Sequence, residues 1–296
     1  MVEHRTGKLW DVPLRTMVSA ATADLVLGVW EPVSQAALDF KMRGVWPYAN
    51  TPFILLSCWL AEWIRHADVH QRRTLVQRYA SADLVLTLSK NQIQILVDAG
   101  FREDQVAAIP FGCEPSNFVW RPGPRDLDVV AAGFDHGRDY VTLMDGVRNL
   151  KATVHVLCQP DNLRGVDIPP NVVVHGVLPY REYCSMLLRA KVVAVATHDL
   201  AYPTGQSVGL DALAAGAALA FTQTPALSEY FPDDIAAPVP VADAHTWHQV
   251  LTDLLEQDYA RQALARAGHR HMMENFTNAH MWSAFREVLT RQGLVP

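Results

Sequence analysis

The sequence lacks the cysteine patterns of a disulfide-rich or zinc-binding protein. Its four cysteines, Cys58, Cys113, Cys158 and Cys184, lie far apart and form no C-x-x-C motif. A disulfide framework and a structural zinc site are therefore not indicated. Reduced thiols in a cytoplasmic compartment are the simplest interpretation.

Signals for nucleic-acid binding, export and membrane spanning are also missing. No block of lysine and arginine interleaves with aromatic residues, and the net charge is −6, so nucleic acid is not expected as a partner. The segment Met1–Trp10 is polar and lacks the apolar core of a signal peptide. The apolar run Pro52–Leu60 is too short to span a bilayer. We expect a cytoplasmic protein, and the sequence leaves peripheral contact with a membrane open.

The signatures of several enzyme classes are absent as well. The sequence has no G-x-S-x-G elbow and no P-loop lysine motif, and no G-x-G-x-x-G follows a predicted strand. No Asp-x-Asp motif stands out as the holder of a metal-bound diphosphate, so catalysis without a metal is expected. His66 and His70 lie four residues apart on a predicted helix, but no third ligand is evident. No metal site is predicted.

The residues that are present predict alternating strands and helices. The chain has 296 residues, of which 50% are hydrophobic and 19% are charged, as in globular proteins with a substantial core. Short apolar runs such as Phe53–Cys58 and Leu127–Ala132 predict buried strands, and amphipathic stretches such as Leu60–Tyr79 predict helices. This alternation predicts an α/β fold with parallel sheets covered on both faces.

One segment marks a boundary between two such series. Trp120–Pro124 contains two prolines and a glycine in five residues and is the clearest linker in the chain. We predict an N-terminal domain over residues 1–122, a C-terminal domain over 123–276 and a last helix within 277–296. Both domains are expected to be Rossmann-like and doubly wound. Because ligands bind outside the carboxyl ends of such strands, a site is expected in the cleft between the domains.

The stretch Tyr202–Gly216 predicts an anion site at one of these carboxyl ends. It follows a predicted strand, Val192–Thr197, and Gly205 then breaks the chain. Thr204 is a good N-cap for a predicted helix over Gln206–Ala215.

The first-turn amides of this helix, those of Gln206, Ser207 and Val208, lack helical partners, and the helix dipole adds partial positive charge. A phosphate would therefore bind well at this turn. The alternative is an ordinary strand–helix turn of any doubly wound sheet, in which Gly205 serves only the bend.

Three segments resemble a known family in their order and spacing. The first joins Ala82–Ser89 to Val106–Phe118, the second is Gly133–Gly146, which contains Arg138-Asp-Tyr-Val-Thr-Leu, and the third is Val172–Glu229. Together they are similar to the retaining glycosyltransferases of the GT-B fold, the "group one" family that uses nucleotide sugars. The resemblance implies two Rossmann-like domains with a cleft between them and a last helix that packs back on the N-terminal domain.

The resemblance also implies an activity. A hexosyltransferase of this kind moves a sugar from a nucleoside diphosphate sugar to an acceptor, with retention and without a metal or other cofactor. The implied partners are the nucleotide-sugar donor and a small-molecule, glycan or lipid-linked acceptor. Donor sugar, base, acceptor and oligomeric state are left open.

Residue roles follow from the resemblance. Arg138 matches the catalytic basic residue that neutralises the donor diphosphate, and the alternative is a surface arginine paired with Asp135 or Asp139. Asp211 stands where the family usually has a glutamate that binds the ribose hydroxyls, and the alternative is a solvated helix carboxylate. His175–Leu178 resembles the segment against the nucleobase, and the alternative is a plain strand end. The implied donor site comprises Gly133, Arg138, His175, Gly176, Val177, Gly205, Gln206, Ser207, Val208 and Asp211.

The sequence departs from the family in three ways. A Gly-Gln-Ser turn replaces the usual pair of glutamates, since Pro203 stands eight residues before Asp211. Phe134 stands where many members have a second basic residue. No glycine-rich strand–turn–helix precedes Asp24, so the N-terminal domain is expected to be shortened.

These departures keep two alternatives open, a non-catalytic GT-B homologue that acts as a binding or scaffolding partner and a nucleotide-sugar epimerase. Trp46, Trp59 and Trp63 either line an acceptor groove or pack in the core.

Overall fold

The computed structural model describes residues 9–120 and 123–295. Two predictions fall on residues outside the described ones. Residues 1–8 belong to the segment predicted to lack a signal peptide, and Arg121 and Pro122 belong to the predicted linker. The chain forms two compact units: one extends to Pro110 and includes the chain from Ser283 onward, and the other is Phe111–Trp282. The predicted domain limits remain predictions. The first unit ends at Pro110 and not at residue 122, and its C-terminal part begins at Ser283 and not at residue 277.

The first unit is a parallel sheet of four strands with helices between them. Its elements are α1 Asp11–Thr22, β1 Val26–Val29, α2 Glu31–Met42, β2 Phe53–Leu56, α3 Leu60–His66, α4 Val69–Tyr79, β3 Leu84–Thr87, α5 Asn91–Ala99 and β4 Val106–Ala108. The strands lie in the order β1-β2-β3-β4, and every neighbouring pair is parallel. The order follows the chain without a reversal, and the sheet has two strands fewer than that of the second unit.

The helix predicted over Leu60–Tyr79 is two helices, and local capping explains the break. Ala67 has an extended backbone, which ends α3. Asp68 then starts α4 with a capping box, in which its carboxylate accepts from the Gln71 amide at 2.8 Å and the Gln71 side chain accepts from the Asp68 amide at 3.0 Å. The continuous amphipathic pattern across the break concealed a cap that satisfies the first amides of a new helix.

A buried carboxylate organises one end of this sheet. Glu31, in the first turn of α2, is fully buried. It accepts from Ser57 Oγ at 2.6 Å and from the amides of Cys58, Trp59 and Leu60 at 3.0, 3.1 and 2.9 Å. Those amides open α3, where a negative charge satisfies donors that lack helical partners. One side chain therefore fixes the segment that leaves β2 against the start of α2.

The second unit contains a six-stranded parallel sheet. Its elements are β5 Leu127–Ala132, α6 Tyr140–Val147, β6 Val154–Leu157, β7 Val172–Val174, α7 Tyr180–Arg189, β8 Ala190–Val195, α8 Gln206–Ala214, β9 Ala218–Thr222, α9 Pro225–Ser228, β10 Ala237–Val239, α10 Ala244–Glu256 and α11 Asp258–Asn275. A last helix, α12, runs over Asn278–Arg291. Among the helices of the described ranges, none has the length and apolar character needed to cross a membrane.

The strand order of this sheet is β10-β9-β8-β5-β6-β7, and all neighbouring strands are parallel. After β5 the chain adds β6 and β7 on one side, and it then returns to add β8 on the other side of β5, so the strand order reverses there. Alternate residues of β5 point to opposite faces: Val129 belongs to one apolar cluster and Val130 to another, and both are fully buried. Because both faces of the sheet are covered, both sets of side chains on a strand are apolar, and polar residues do not alternate with β-branched ones. The carboxyl ends of β5 and β8 lie side by side at the reversal, which is where doubly wound sheets bind ligands.

We predict that Glu31→Ala lowers the free energy of unfolding by about 3–5 kcal/mol, since the change leaves buried donors of Ser57 and three amides without an acceptor. Urea unfolding measures it. The matched control is Asp104→Ala, which removes an acid from an exposed pair with Arg102 (2.9 Å) and is expected to cost at most about 1 kcal/mol. Equal losses in the two variants would contradict a structural role for the Glu31 carboxylate.

Candidate functional site

The loops after β5 and β8 are tied together at the strand-order reversal. The Asp139 amide donates to the Ala196 carbonyl at 3.1 Å, and the His198 amide donates to the Gly137 carbonyl at 2.9 Å. This short antiparallel pairing includes a bridge between Arg138 and Thr197. The backbone of Arg138 is therefore fixed by the neighbouring loop and not only by its own.

The guanidinium of Arg138 lies between two glycines. A Cβ atom at Gly133 would overlap Arg138 Nε, and one at Gly205 would overlap Arg138 Nη1. Both glycines also have left-handed backbones, with φ of +151° and +94°, that other residues rarely adopt. Glycine at these two positions therefore makes room for the arginine, in addition to shaping the turns.

Arg138 is buried, with 9% of its surface exposed, yet no carboxylate of the described residues pairs with its charge. Its Nε and Nη1 atoms are buried and have no hydrogen-bond partner among the described residues. Burial lowers the pKa of Arg138, while the nearby Tyr140 and Asp135 act in the opposite direction. Burying an unpaired ion costs several kcal/mol. Such a group is typical of a site that an anion completes.

The two aspartates that were the alternative partners of Arg138 are engaged elsewhere. Asp135 Oδ1 accepts from the Gly137 amide at 2.7 Å and from Tyr202 OH at 2.9 Å. Asp139 caps α6 by accepting from the amide and the hydroxyl of Thr142 at 3.0 and 2.6 Å. The interpretation of Arg138 as an ion-paired surface residue therefore does not fit the structure.

The start of α8 lies beside this arginine and differs in part from the predicted turn. The N-cap is Gly205 and not Thr204, because the left-handed backbone of Gly205 makes the turn without a side-chain cap. The Gln206 amide donates to the Pro203 carbonyl at 3.0 Å. The amides of Ser207 and Val208 have no acceptor within the described ranges. Two of the three predicted amides are thus open to a ligand in this structure.

Two hydroxyl groups accompany these donors. The Oγ1 atoms of Thr197 and Thr204 are buried and lack partners among the residues that the structure describes. Thr197 forms the bridge with Arg138, and Thr204 precedes Gly205. The sequence analysis did not predict a buried, unpartnered hydroxyl at either position, because loop pairing between distant segments creates this burial.

Asp211 lies farther along α8 and is not a solvated carboxylate. Tyr183 OH donates to its Oδ2 at 2.9 Å, and Cys113 Sγ donates to its Oδ1 at 3.2 Å. Burial raises the pKa of Asp211 to about 6, although both hydrogen bonds act in the opposite direction. Tyr183 and Cys113 were missed in the sequence, since they come from α7 and from the segment before β5 and no local pattern connects them to Asp211.

The remaining predicted residues follow β7 at the edge of the sheet, two strands from β5. His175 Nε2 lies 2.9 Å from Nδ1 of His155 on β6. Gly176 has a left-handed backbone with φ +69°, and Val177 is exposed. The structure thus places His175, Gly176 and Val177 in a turn at the carboxyl end of an edge strand, while Gly133, Arg138 and Gly205 meet at the reversal.

The candidate metal ligands have other partners. Asp126 and Asp128 do form an Asp-x-Asp motif, but it lies at the start of β5, and the two carboxylates pair with Arg189 at 2.5 Å and with Lys191 at 2.7 Å. His66 Nε2 lies 2.8 Å from Glu62 Oε1. Within residues 9–120 and 123–295, no three histidine, cysteine or acidic side chains group as a metal site would require.

The raised pKa of Asp211 predicts a pH dependence of stability. The folded-state value of about 6 exceeds the ordinary value of 3.8, so the folded protein holds the proton more tightly than the unfolded chain. This contribution is complete below pH 3.8 and is lost as the pH rises through about 6. We expect Asp211→Asn to gain stability over wild type across this window, on the order of 1.4 kcal/mol per pKa unit.

Urea unfolding across the window measures this difference. Asp145→Asn is the control, because Asp145 is exposed and pairs with Arg148 at 3.4 Å. Its curve should run parallel to wild type. A parallel curve for Asp211→Asn as well would show that Asp211 titrates at its ordinary pKa.

Comparisons with known proteins agree with this architecture. HepE from Anabaena, solved with UDP and glucose, has a TM-score of 0.76 at 13% identity over 94% of this chain and 80% of that chain. Sucrose-phosphate synthase from Thermosynechococcus elongatus has a TM-score of 0.75 at 14% identity over 97% and 80%. The trehalose-phosphate synthase of Burkholderia xenovorans, solved with glucose-6-phosphate, has a TM-score of 0.73 at 14% identity over 94% and 77%. At these identities the likeness establishes the fold, which is GT-B.

No curated protein matches the sequence. The glycosyl transferase-like family matches residues 138–287, which is half of the chain. The match begins at Arg138 and includes the reversal of the sheet, the turn at Gly205 and α8. The chain belongs to the glycosyl transferase-like family.

Proposed function

We propose that this protein is a glycosyltransferase that moves a hexosyl group from a nucleoside diphosphate sugar to an acceptor, with retention and without a metal or other cofactor. The observation that carries the proposal is the buried guanidinium of Arg138, whose Nε and Nη1 lack partners among the described residues. Membership of the family supports the reaction class. The structures of HepE solved with UDP or UDP-glucose support the donor class.

In this proposal the donor diphosphate occupies the space that Arg138, Ser207 and Val208 leave open. A guanidinium holds two phosphate oxygens through its planar fork and stays charged. The two amides at the positive end of α8 add donors at fixed positions. As the bond between the sugar and the diphosphate breaks, negative charge grows on the leaving group, and these preorganised donors stabilise it. The geometry thus lowers the barrier without a proton transfer from Arg138.

Asp211 and the turn after β7 complete the proposed donor site. Asp211 binds the ribose hydroxyls, while the hydrogen bonds from Tyr183 and Cys113 hold its carboxylate in place. Because its pKa is about 6, the carboxylate is mostly ionised at neutral pH and can accept further hydrogen bonds. His175, Gly176 and Val177 lie against the nucleobase.

The four thiols, none of them in a disulfide, favour a cytoplasmic location.

We predict that Arg138→Met abolishes stabilisation by UDP-glucose. At a ligand concentration of one hundred times Kd, wild type gains about 2.7 kcal/mol in the free energy of unfolding. Without ligand, the variant should be as stable as wild type or more stable by up to about 4 kcal/mol, since a buried charge without a counter-ion is removed. The rate of sugar transfer should fall about 10²–10³-fold.

Thermal unfolding with and without UDP-glucose and an assay of UDP release measure these effects. Arg164→Met is the control, because Arg164 is exposed and pairs only with Asp161, at 2.8 Å, among the described residues. An undiminished melting shift in Arg138→Met would remove Arg138 from the site. Binding by wild type without any turnover would instead support the non-catalytic homologue, which the four-stranded first sheet favours.

The first unit offers a surface suited to a carbohydrate acceptor. The ring of Trp59 lies 6.0 Å from that of Trp30 and 6.3 Å from that of Trp63, and the second pair is stacked. Trp30 is half exposed and has a left-handed φ of 67°, a conformation that is costly for tryptophan and that concentrates at functional sites. Glu31 holds the backbone next to both Trp30 and Trp59. We infer that these rings stack on the apolar face of an acceptor sugar.

We predict that Trp30→Ala raises the acceptor KM at least about tenfold, the equivalent of about 1.4 kcal/mol, and leaves the KM for UDP-glucose unchanged. The acceptor is the compound that gives the fastest UDP release among glucose, glucose 6-phosphate and glucose oligomers. Trp46→Ala is the control, because Trp46 is also exposed but belongs to no ring pair with Trp30, Trp59 or Trp63. Equal effects of the two substitutions would place acceptor binding elsewhere.

A further inference from the structure

A cavity lies at the amino ends of the strands of the six-stranded sheet. It has a volume of about 490 Å³, and its walls include Trp120, Arg125, Lys191, Gly216, Arg261 and Arg266. Arg125 precedes β5, Lys191 is at the start of β8 and Gly216 precedes β9. The cavity is therefore at the amino ends of these strands, whereas Arg138 lies beyond their carboxyl ends.

Arg125 brings a half-buried positive charge to this cavity. Its Nη1 donates to the carbonyls of Leu187 and Ala190 at 3.2 and 2.7 Å, and its Nη2 donates to those of Ala215 and Gly216 at 2.6 and 2.7 Å. These acceptors are carbonyls at the C-terminal ends of α7 and α8, so they fix the guanidinium, and the negative ends of the two helix dipoles offset part of its charge. Burial, and then the positive charge of Arg261, lower the pKa of Arg125 to about 10.

The other cations of the cavity are only partly balanced. Lys191 pairs with Asp128 at 2.7 Å, and the buried Arg261 pairs with Asp258. Arg266 is exposed and has no ion pair within the described ranges. Among the described residues, four cations thus face two carboxylates, and the surplus of positive charge lies on Arg266 and, in part, on Arg125.

The first turn of α11 adds to this positive field. This helix has 18 residues, and its N-cap, Gln257, makes no side-chain cap to the first amides. Asp258, Arg261 and Gln262 of the same turn line the cavity. The positive end of a helix dipole therefore points to the cavity that already holds the surplus cations.

We propose that this cavity binds a small molecule that carries a phosphate dianion, at a site separate from that of Arg138. A dianion suits the surplus of positive charge at Arg266 and Arg125, and the volume exceeds the needs of a bare phosphate. The indole of Trp120 packs on Gly216 and supplies an apolar wall for the carbon part of an ester. The cavity thus favours a phosphate monoester over free phosphate, and its position suits an effector and not a substrate.

Titration calorimetry with inorganic phosphate, ribose 5-phosphate and neutral ribose tests the site. Wild type is expected to bind both phosphates and not ribose, and Arg266→Glu should weaken phosphate binding at least tenfold. The matched control is Arg270→Glu, an exposed arginine one turn farther along α11 that does not line the cavity. It should remain within twofold of wild type.

Arg138→Met separates this site from the proposed donor site. Undiminished phosphate binding by that variant, together with the loss in Arg266→Glu, supports the second site, and tighter binding of ribose 5-phosphate than of phosphate identifies an ester as its ligand. Equal affinities identify free phosphate. Loss of binding in Arg138→Met alone, equal losses in Arg266→Glu and Arg270→Glu, or no binding by wild type would overturn the proposal. None of these results depends on whether the protein transfers a sugar.

Discussion

The second unit buries a guanidinium that has no counter-ion among the described residues. Arg138 lies between Gly133 and Gly205, and each glycine is required because a side-chain carbon would occupy the space of the arginine. The nearby aspartates are committed to a tyrosine and to a helix cap, so the protein has left this charge uncompensated. Such an arrangement costs free energy in the absence of a ligand. It becomes favourable once an anion occupies the space between the arginine and the start of α8.

The strand order puts this arginine at one particular place in the sheet. Because β5 and β8 are neighbours whose following segments diverge, their carboxyl ends leave a gap that the loops must fill. The pairing of Asp139 with Ala196 and of His198 with Gly137 closes that gap from two sides. A loop that only its own residues stabilised would hold the guanidinium less rigidly, and preorganisation is the main source of electrostatic catalysis.

The two ends of the second sheet use positive charge differently. At the carboxyl ends, Arg138 has donors without acceptors in the described ranges, which suits direct recognition of phosphate oxygens. At the amino ends, Arg125 is saturated with carbonyl acceptors and contributes mainly its field. Its neighbour Arg266 is exposed and supplies free donors. Arginine therefore supports a proposed substrate site at the carboxyl ends of the strands and a proposed effector site at their amino ends.

The local pattern of the sequence predicted alternating strands and helices in an α/β fold, and the resemblance of the motifs from Ala82 to Glu229 implied the GT-B fold. Apolar periodicity and glycine breaks are local properties, so they can be found without knowledge of long-range contacts. This pattern did not reveal the break of Leu60–Tyr79 into two helices or the N-cap at Gly205. Caps depend on local side-chain hydrogen bonds and backbone angles that compete with the helical conformation. Only the tertiary structure decided the surroundings of the site. The threonines, Tyr183 and Cys113 reach their positions through loop pairing and helix packing between segments far apart in the chain, and no periodic signal encodes such contacts.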